Sequence, residues 1–600
     1  MSPAEGVPLG ARSEAAGVRF TVWSDKTREV SVVLYDRPGE PSREIPLGRA
    51  DEEHTYTGFV RQLRAGALYD FKLDGRLAVD PYARSLPYGV HGPAEVSPPL
   101  PPGNHAKRAI DLRHGEVLYE LHIGTFTSEG TFEGALRRLP ELRELGVTTI
   151  ELMPIAAFPG KRGWGYDGVG LFAPFAAYGS PEQLNAFVDG VHAQGMSVLL
   201  DVVYNHLGPD GNALPAFSDS YFDGQRRTPW GAAPALEKPP FRRLICDNVR
   251  YWLETVGFDG LRLDATHELE PGGDPHILAA ISRIARACTP PAVLMAEDGR
   301  NDPNLLLEHG VNAVWSDDFH HAAHVLLTRE QEGYYAGFSG ELSELSRVIE
   351  RGQLYEGQVF GPSGKARGKP PVDVAHERFV FALQNHDQIG NRAHGERLRA
   401  LSSSDAYRAA SVLLLFLPST PLLFMGQEWA SSSPFLFFSD HAGDIGHAVS
   451  KGRRAEFAHF SAFRDSDPDS LPDPQAESSF LRSKLDWSER RSPEHAQTLS
   501  LYRRALELRR TDPVLRAATE LRTGVIGETL WVLRTSTIGE RLLLFNAGAP
   551  TALEEVAGRS APEARVLLSS RELTTGSAFE LSAMTTTIFG LYPNPGKRER

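Results

Sequence analysis

Four short runs in this sequence each end an apolar stretch on a group able to do acid–base or nucleophilic chemistry. They are Asp201-Val202-Val203-Tyr204-Asn205-His206, Arg262-Leu263-Asp264, Ala296-Glu297-Asp298 and Gln384-Asn385-His386-Asp387. For a lone aspartate after a strand, helix capping is the commoner reason. Capping accounts neither for His386 beside Asp387 nor for Arg262 two residues before Asp264, a spacing that puts both side chains on one face of a strand. Such a set suits cleavage of a glycosidic bond. One carboxylate meets the developing oxocarbenium carbon, a protonated one serves the leaving oxygen, and a separation of about 5 Å gives retention. Arg262 is expected to lower the pKa of Asp264 and keep it nucleophilic. Glu297 has to hold a proton near neutral pH, through neighbouring negative charge and partial burial, and then return as the base. Asp387 is left to take hydrogen bonds from substrate hydroxyls.

Bringing these groups together needs several strands that end on one side. After the proline-rich stretch 97–103, apolar runs at 117–126, 148–155, 197–204, 260–263, 292–296, 313–315, 378–383 and 421–425 alternate with helical patterns. Phe132, Leu136, Leu139, Leu142 and Leu145 recur at three- and four-residue spacing, and Leu244, Ile245, Val249, Trp252, Leu253 and Val256 make one stripe over 241–256. Further helices are expected at 275–287 and 499–510. Eight strand–helix units predict a TIM (β/α)8 barrel, whose chemistry sits at the carboxyl ends of the strands. Ahead of it, Val18, Phe20 and Val22, then Val30, Val32 and Leu34, then Tyr69, Phe71 and Leu73 alternate between turns, which predicts an immunoglobulin-like β-sandwich. A Ser-, Pro- and acid-rich stretch runs over 463–479, and alternation returns from 530 onward as a C-terminal β-sandwich. The expected domains are 1–100, 101–514 with loop insertions, and 515–600.

The formal net charge of −14 argues against nucleic acid, which demands a concentrated positive field. The only two cysteines, Cys246 and Cys288, fall in helical patterns and are expected as free thiols in the cytoplasm. The amino terminus lacks the charged-then-apolar order of a secretory signal, and the longest apolar stretch, 411–425, is broken by Pro418 and Pro421, so no membrane span is expected.

The four runs resemble the shared segments of the α-amylase clan, glycoside hydrolase family 13, at 201–206, 257–267, 296–298 and 385–387, over nearly the whole barrel. They are specific in combination, whereas a lone Arg-x-Asp would carry little. The resemblance implies that Asp264 is the nucleophile, Glu297 the acid/base and Asp387 the transition-state stabiliser, with His206, Arg262 and His386 in contact with the sugar. Tyr166, inside Gly163-Trp164-Gly165-Tyr166-Asp167-Gly168, matches the clan's aromatic that stacks at the cleavage subsite, and Trp230, inside Thr228-Pro229-Trp230-Gly231, is a further expected substrate contact. Calcium-dependent members use an asparagine at the position of Asn205 with acids from the loop after the third strand. Here that loop offers only Asp210, Asp219, Asp223 and Glu237, so no required metal and no cofactor is expected.

Within the clan, the runs 384–392, 434–441 and 452–457 resemble members that release trehalose from a glucan capped by it. That implies retaining hydrolysis of the α-1,4 bond next to the terminal trehalose unit, in trehalose biosynthesis, with an α-glucan as partner. Phe437, Phe438, Asp440 and His441 are expected to form part of the wall on the trehalose side. Glucan branching enzymes are the alternative. They share the sandwich and barrel but carry Glu directly after the third carboxylate, where this chain has Gln388. A non-catalytic glucan-binding protein is the third reading, and the complete carboxylate trio opposes it.

Overall fold

The computed structural model describes residues 7–591 except 102, 458–470, 518–519, 561–563 and 572–577. The first eight residues of the acid-rich stretch expected at 463–479 thus lie outside the described residues. The centre is a closed barrel of eight parallel strands. We number them β1 (Leu118–Leu121), β2 (Thr149–Leu152), β3 (Ser197–Val202), β4 (Gly260–Leu263), β5 (Val293–Glu297), β6 (Ala313–Trp315), β7 (Phe379–Ala382) and β8 (Thr420–Phe424), and β1 pairs with β8 to close the ring. All eight expected strands are present. The first is the least like its expectation: the chain leaves β1 after Leu121 and turns into a helix at Ile123–Phe126.

Period-2 alternation explains what fills the barrel. Leu118, Leu199, Val293, Met295, Ala313, Trp315, Val380, Ala382 and Leu422 form one interior cluster. Outward residues such as Tyr119, Ile150, Val198, Leu261 and Leu294 join the helices in the main core. The helix expected over 241–256 is Pro239–Arg250, continuing as a wider-turned segment to Val256. The stripe 132–145 is two helices, Phe132–Leu136 and Leu139–Leu145.

The amino-terminal strands form two facing sheets. Every residue of the expected alternation there is buried, and Phe20 meets Tyr69 edge-on at 5.0 Å between ring centres. This unit sits against the loop after β3: Ser24 Oγ donates to the Phe217 carbonyl at 2.7 Å, and Trp23 meets Tyr221 edge-on at 5.8 Å. The carboxy-terminal part is a five-stranded sheet with two smaller strand pairs. It docks on the barrel helix Ser404–Phe416, where Thr586 Oγ1 donates to the Ala409 carbonyl at 2.8 Å and Arg534 Nη1 to the Phe416 carbonyl at 2.7 Å. Cys246 and Cys288 are free and half-buried. Among the described residues no helix is long and apolar enough to cross a membrane.

Candidate active site

Arg262, on β4, is 1% exposed and organises the carboxyl end of the barrel. Its Nη1 donates to both Asp201 oxygens at 2.9 Å and to Asp264 Oδ1 at 2.8 Å; its Nη2 donates to Glu297 Oε2 at 2.8 Å. One rigid fork therefore spaces three carboxyls from β3, β4 and β5. The guanidinium lies 4.5 Å from the centre of the Trp315 ring, an inward residue of β6. Residue 265, just past Asp264, is an alanine with φ +40°, in the left-handed region that L side chains avoid. That strained turn aims its N–H at Glu297 Oε2, 3.0 Å away.

The two acids are driven in opposite directions. Burial would raise the pKa of Asp264, but the Arg262 charge and the 2.8 Å hydrogen bond from Asn205 Nδ2 outweigh it and hold the carboxyl below its usual value. Glu297 is pushed up to about 8: burial dominates, Asp264, Asp387 and Asp317 add to it, and Arg262 opposes it. At neutral pH the first is a carboxylate and the second a carboxylic acid.

Asp387 comes from the turn after β7. Asn385 is the N-cap of the helix His386–Gly390, accepting from the Asp387 and Gln388 N–H groups, while the Gln388 side chain returns a bond from the Asn385 N–H at 2.9 Å. This capping box fixes Asp387 at the rim, and Asn391 Nδ2 donates to its Oδ1 at 2.7 Å. The Trp164 indole meets the same helix so closely that a Cβ on Gly390 would lie 2.0 Å from it. On the facing loop Gly165, at φ +102°, turns the chain against the Pro154 carbonyl and presents Tyr166.

Beneath these groups lie two acids that the sequence reading did not single out, Glu120 and Glu151. His386 is ion-paired through Nδ1 with Glu120 of β1 and bonded through Nε2 to the Tyr166 hydroxyl at 2.8 Å. Burial disfavours its charge, yet Glu120 wins and lifts its pKa to about 9. Tyr166 also donates to Asp201 Oδ2 at 2.7 Å. Glu151 of β2, register partner of Glu120, is fully buried without a hydrogen bond on either oxygen, and burial holds it well above the usual carboxylate range. Single acids inside Leu-Tyr-Glu-Leu and Thr-Ile-Glu-Leu were the available signal, an inward position of an apolar run occupied by a charge.

Several of the expected substrate contacts have protein partners as well. Both His206 nitrogens face protein oxygens, Asn205 Oδ1 and the Tyr166 carbonyl, and Trp230 stacks on its ring at 3.7 Å. Trp230, 37% exposed, donates its indole N–H to Asp167 at 3.0 Å. Of the wall expected from 434–441, one member, Phe438, needs correction. Phe438 is fully buried, packed between His122, Phe435 and Phe480, and cannot touch a ligand. Asp440 pairs with Arg162 at 2.8 Å and accepts from the Lys161 N–H, pinning the loop after β2. Phe437 is half-buried against Trp164 and under Arg453. The physical reason is that Phe438 is enclosed by the neighbouring aromatics, so its ring serves packing. A cavity of about 890 Å³ is bounded by Gly299, His321, Glu332, Tyr334, Phe360, Arg367 and Glu456. Gly299 follows Glu297 by two residues in the chain, and Tyr334 of the lining has its pKa raised by burial first and then by the Asp387 charge, which reaches it. Among the described residues no group of three or more His, Cys, Asp or Glu is arranged to hold a metal ion.

A family model described as the alpha amylase catalytic domain matches residues 101–226, and one described as carbohydrate-binding module 48, the isoamylase N-terminal domain, matches residues 8–83. A malto-oligosyltrehalose trehalohydrolase of Deinococcus radiodurans is 47% identical over 554 residues, covering 89% of this chain and 88% of that protein. One of the same name from Arthrobacter ramosus is 40% identical over 526 residues, covering 84% and 89%. A crystal structure from Salmonella typhimurium, assigned to the α-amylases, shares the fold with a TM-score of 0.87 at 35% identity, covering 97% of this chain and 99% of that one. Fold and carboxyl cluster together define a glycoside hydrolase of the α-amylase type. The chain belongs to the malto-oligosyltrehalose trehalohydrolase family.

Proposed function

We propose that this enzyme cuts the α-1,4-glucosidic bond next to the terminal trehalose unit of maltooligosyltrehalose, releasing trehalose and a maltooligosaccharide with retained configuration. The observation that carries the chemistry is the Arg262 fork, which holds Asp264 and Glu297 on one guanidinium while their surroundings leave the first ionised and the second protonated. In the first step an Asp264 oxygen bonds to the anomeric carbon, the bond to the trehalose oxygen breaks, and that oxygen takes the Glu297 proton. In the second, Glu297 removes a proton from water, which displaces Asp264 and restores both carboxyl groups. Asp387, at the rim, takes hydroxyl hydrogen bonds that shorten as the ring flattens.

The substrate class rests on the kinship with the trehalohydrolases together with the cavity whose Tyr334 lies within reach of the Asp387 charge. Its Tyr334 and Phe360 rings and its Arg367, Glu332 and Glu456 charges offer apolar faces and hydrogen-bonding groups to a compact disaccharide. The free cysteines fit a reducing cytoplasm. The test is product analysis. Purified enzyme given maltotriosyltrehalose should yield trehalose and maltotriose, and cleave maltopentaose far more slowly. Equal or faster cleavage of maltopentaose, or new α-1,6 linkages without release of trehalose, would overturn the reading.

A further inference from the structure

The segment after β8 runs into the helix Gly443–Phe457, and one side chain of that helix reaches the helix that carries Asp387. Arg453 donates from Nη1 to Asn391 Oδ1 at 3.2 Å and from Nη2 to the Gly390 carbonyl at 2.5 Å. The same guanidinium pairs with Glu456 at 3.0 Å and lies 5.4 Å from the centre of the Phe437 ring. Its side chain is 11% exposed, so these bonds are largely shielded from water. Asn391 in turn gives its Nδ2 to Asp387 Oδ1 at 2.7 Å. An amide has one acceptor end and one donor end. With its oxygen held by a guanidinium, Asn391 can offer Asp387 only N–H, and the carboxylate rotamer follows. Glu456, three residues after Arg453, lines the cavity together with Tyr334, whose hydroxyl feels the charges of Asp387, Glu456 and Arg453. A single helical turn therefore touches both the space assigned to the trehalose unit and the support of the third carboxylate.

We propose that Arg453 is a positioning residue that acts on Asp387 through Asn391 and ties the placement of that carboxylate to filling of the cavity. This rests on the reading of Asp387 and of the cavity given above. Part of the preference for a capped chain is then expressed in kcat, because a correctly filled cavity holds the Glu456–Arg453 turn, and with it Asp387, in the working position. A role in packing alone would change stability and leave that preference untouched.

The experiment uses the full chain with maltotriosyltrehalose and with maltopentaose, which have the same number of glucose units. Arg453→Met keeps the bulk of the stem and removes the donors. It is expected to lower kcat on the capped substrate roughly tenfold with KM changed by no more than about twofold, since only alignment is lost. The capped-to-uncapped ratio of kcat should fall, and Arg453→Lys should recover part of the loss. If Arg453→Met does not fold, Asn391→Ala, at a half-buried position, cuts the same relay and should give the same two changes. Unchanged kcat on both substrates in these variants overturns the positioning role, and an equal loss on both overturns the tie to the cavity. Asp387→Asn separates the two levels. If it keeps full activity, the reading of Asp387 itself has failed; if it is inactive while Arg453→Met is unaffected, only the present inference falls.

Discussion

At the scale of single residues, the reaction depends on two carboxyl groups a few ångströms apart being kept in different protonation states. A bare sequence shows why Asp264 is ionised, because Arg262 stands two residues before it on the same strand face. It does not show that the same guanidinium also bonds Glu297, because that contact joins β4 to β5 through space. The consequence is a pH profile. Glu297 must be protonated to serve the leaving oxygen, so kcat/KM should fall as pH rises past about 8. The acid limb set by Asp264, whose pKa is lowered, should lie below the usual carboxylate range. Asp317, at the start of the helix after β6, adds negative potential at Glu297. Asp317→Asn should therefore move the alkaline limb to lower pH while activity persists on the acid side. A profile measured on the variant that superposes on the parent's would remove Asp317 from the account of that shift.

At the scale of elements, strands and their polar ends were legible because an inward–outward period of two and a polar residue at each carboxyl end are local properties. The capping box at 385–388 was legible in principle too, since Asn followed three residues on by Gln is its signature. The structure gives Gln388 a role the sequence comparison with branching enzymes did not: its side chain closes the cap that fixes Asp387. What the sequence did not reveal is which aromatics of a loop face a ligand. Phe437 and Phe438 are adjacent in the chain, yet only packing against His122, Phe435 and Phe480 decides that Phe438 is core. Phe438→Ala should cost about 3–5 kcal/mol of stability, the usual range for a buried phenylalanine, and leave the preference for capped over uncapped substrate unchanged. Phe360→Ala, on the cavity, should do the reverse. Denaturant titration and the two-substrate assay distinguish these, and a selectivity loss in Phe438→Ala at unchanged stability would return that residue to the site.

At the scale of the whole molecule, the site also helps hold the barrel together. The pair between His386 after β7 and Glu120 of β1 bridges β8, the strand that lies between them in the ring. Because His386 has its pKa raised to about 9, the folded state holds a proton that the unfolded chain releases near the ordinary value of 6.5. The stability this pair contributes is thus complete below about pH 6.5 and is lost as pH rises through about 9. Glu297, raised to about 8, acts with the same sign, since its ionisation is costlier in the fold than in the unfolded chain. Tm should fall between pH 7 and pH 9.5, and Glu120→Gln should flatten that fall while lowering Tm at pH 7. A Tm that rises over the interval would contradict the charge assignment. The three-part organisation was visible in the change from alternation to strand–helix rhythm and back. The docking of the parts was not, because Ser24 with Phe217 and Thr586 with Ala409 meet only in the folded chain.

The most direct test of the central claim is to trap the glycosyl–enzyme bond. Glu297→Gln cannot protonate a sugar leaving group, but an α-maltosyl fluoride needs no such help, and the variant also lacks the base that would activate water for the second step. Mass spectrometry of the digested protein should find the maltosyl group on the peptide carrying Asp264 and nowhere else, and Asp264→Asn should abolish the label. A label on Asp387 or Asp201, or rapid fluoride turnover by the variant with no covalent adduct, would contradict the account.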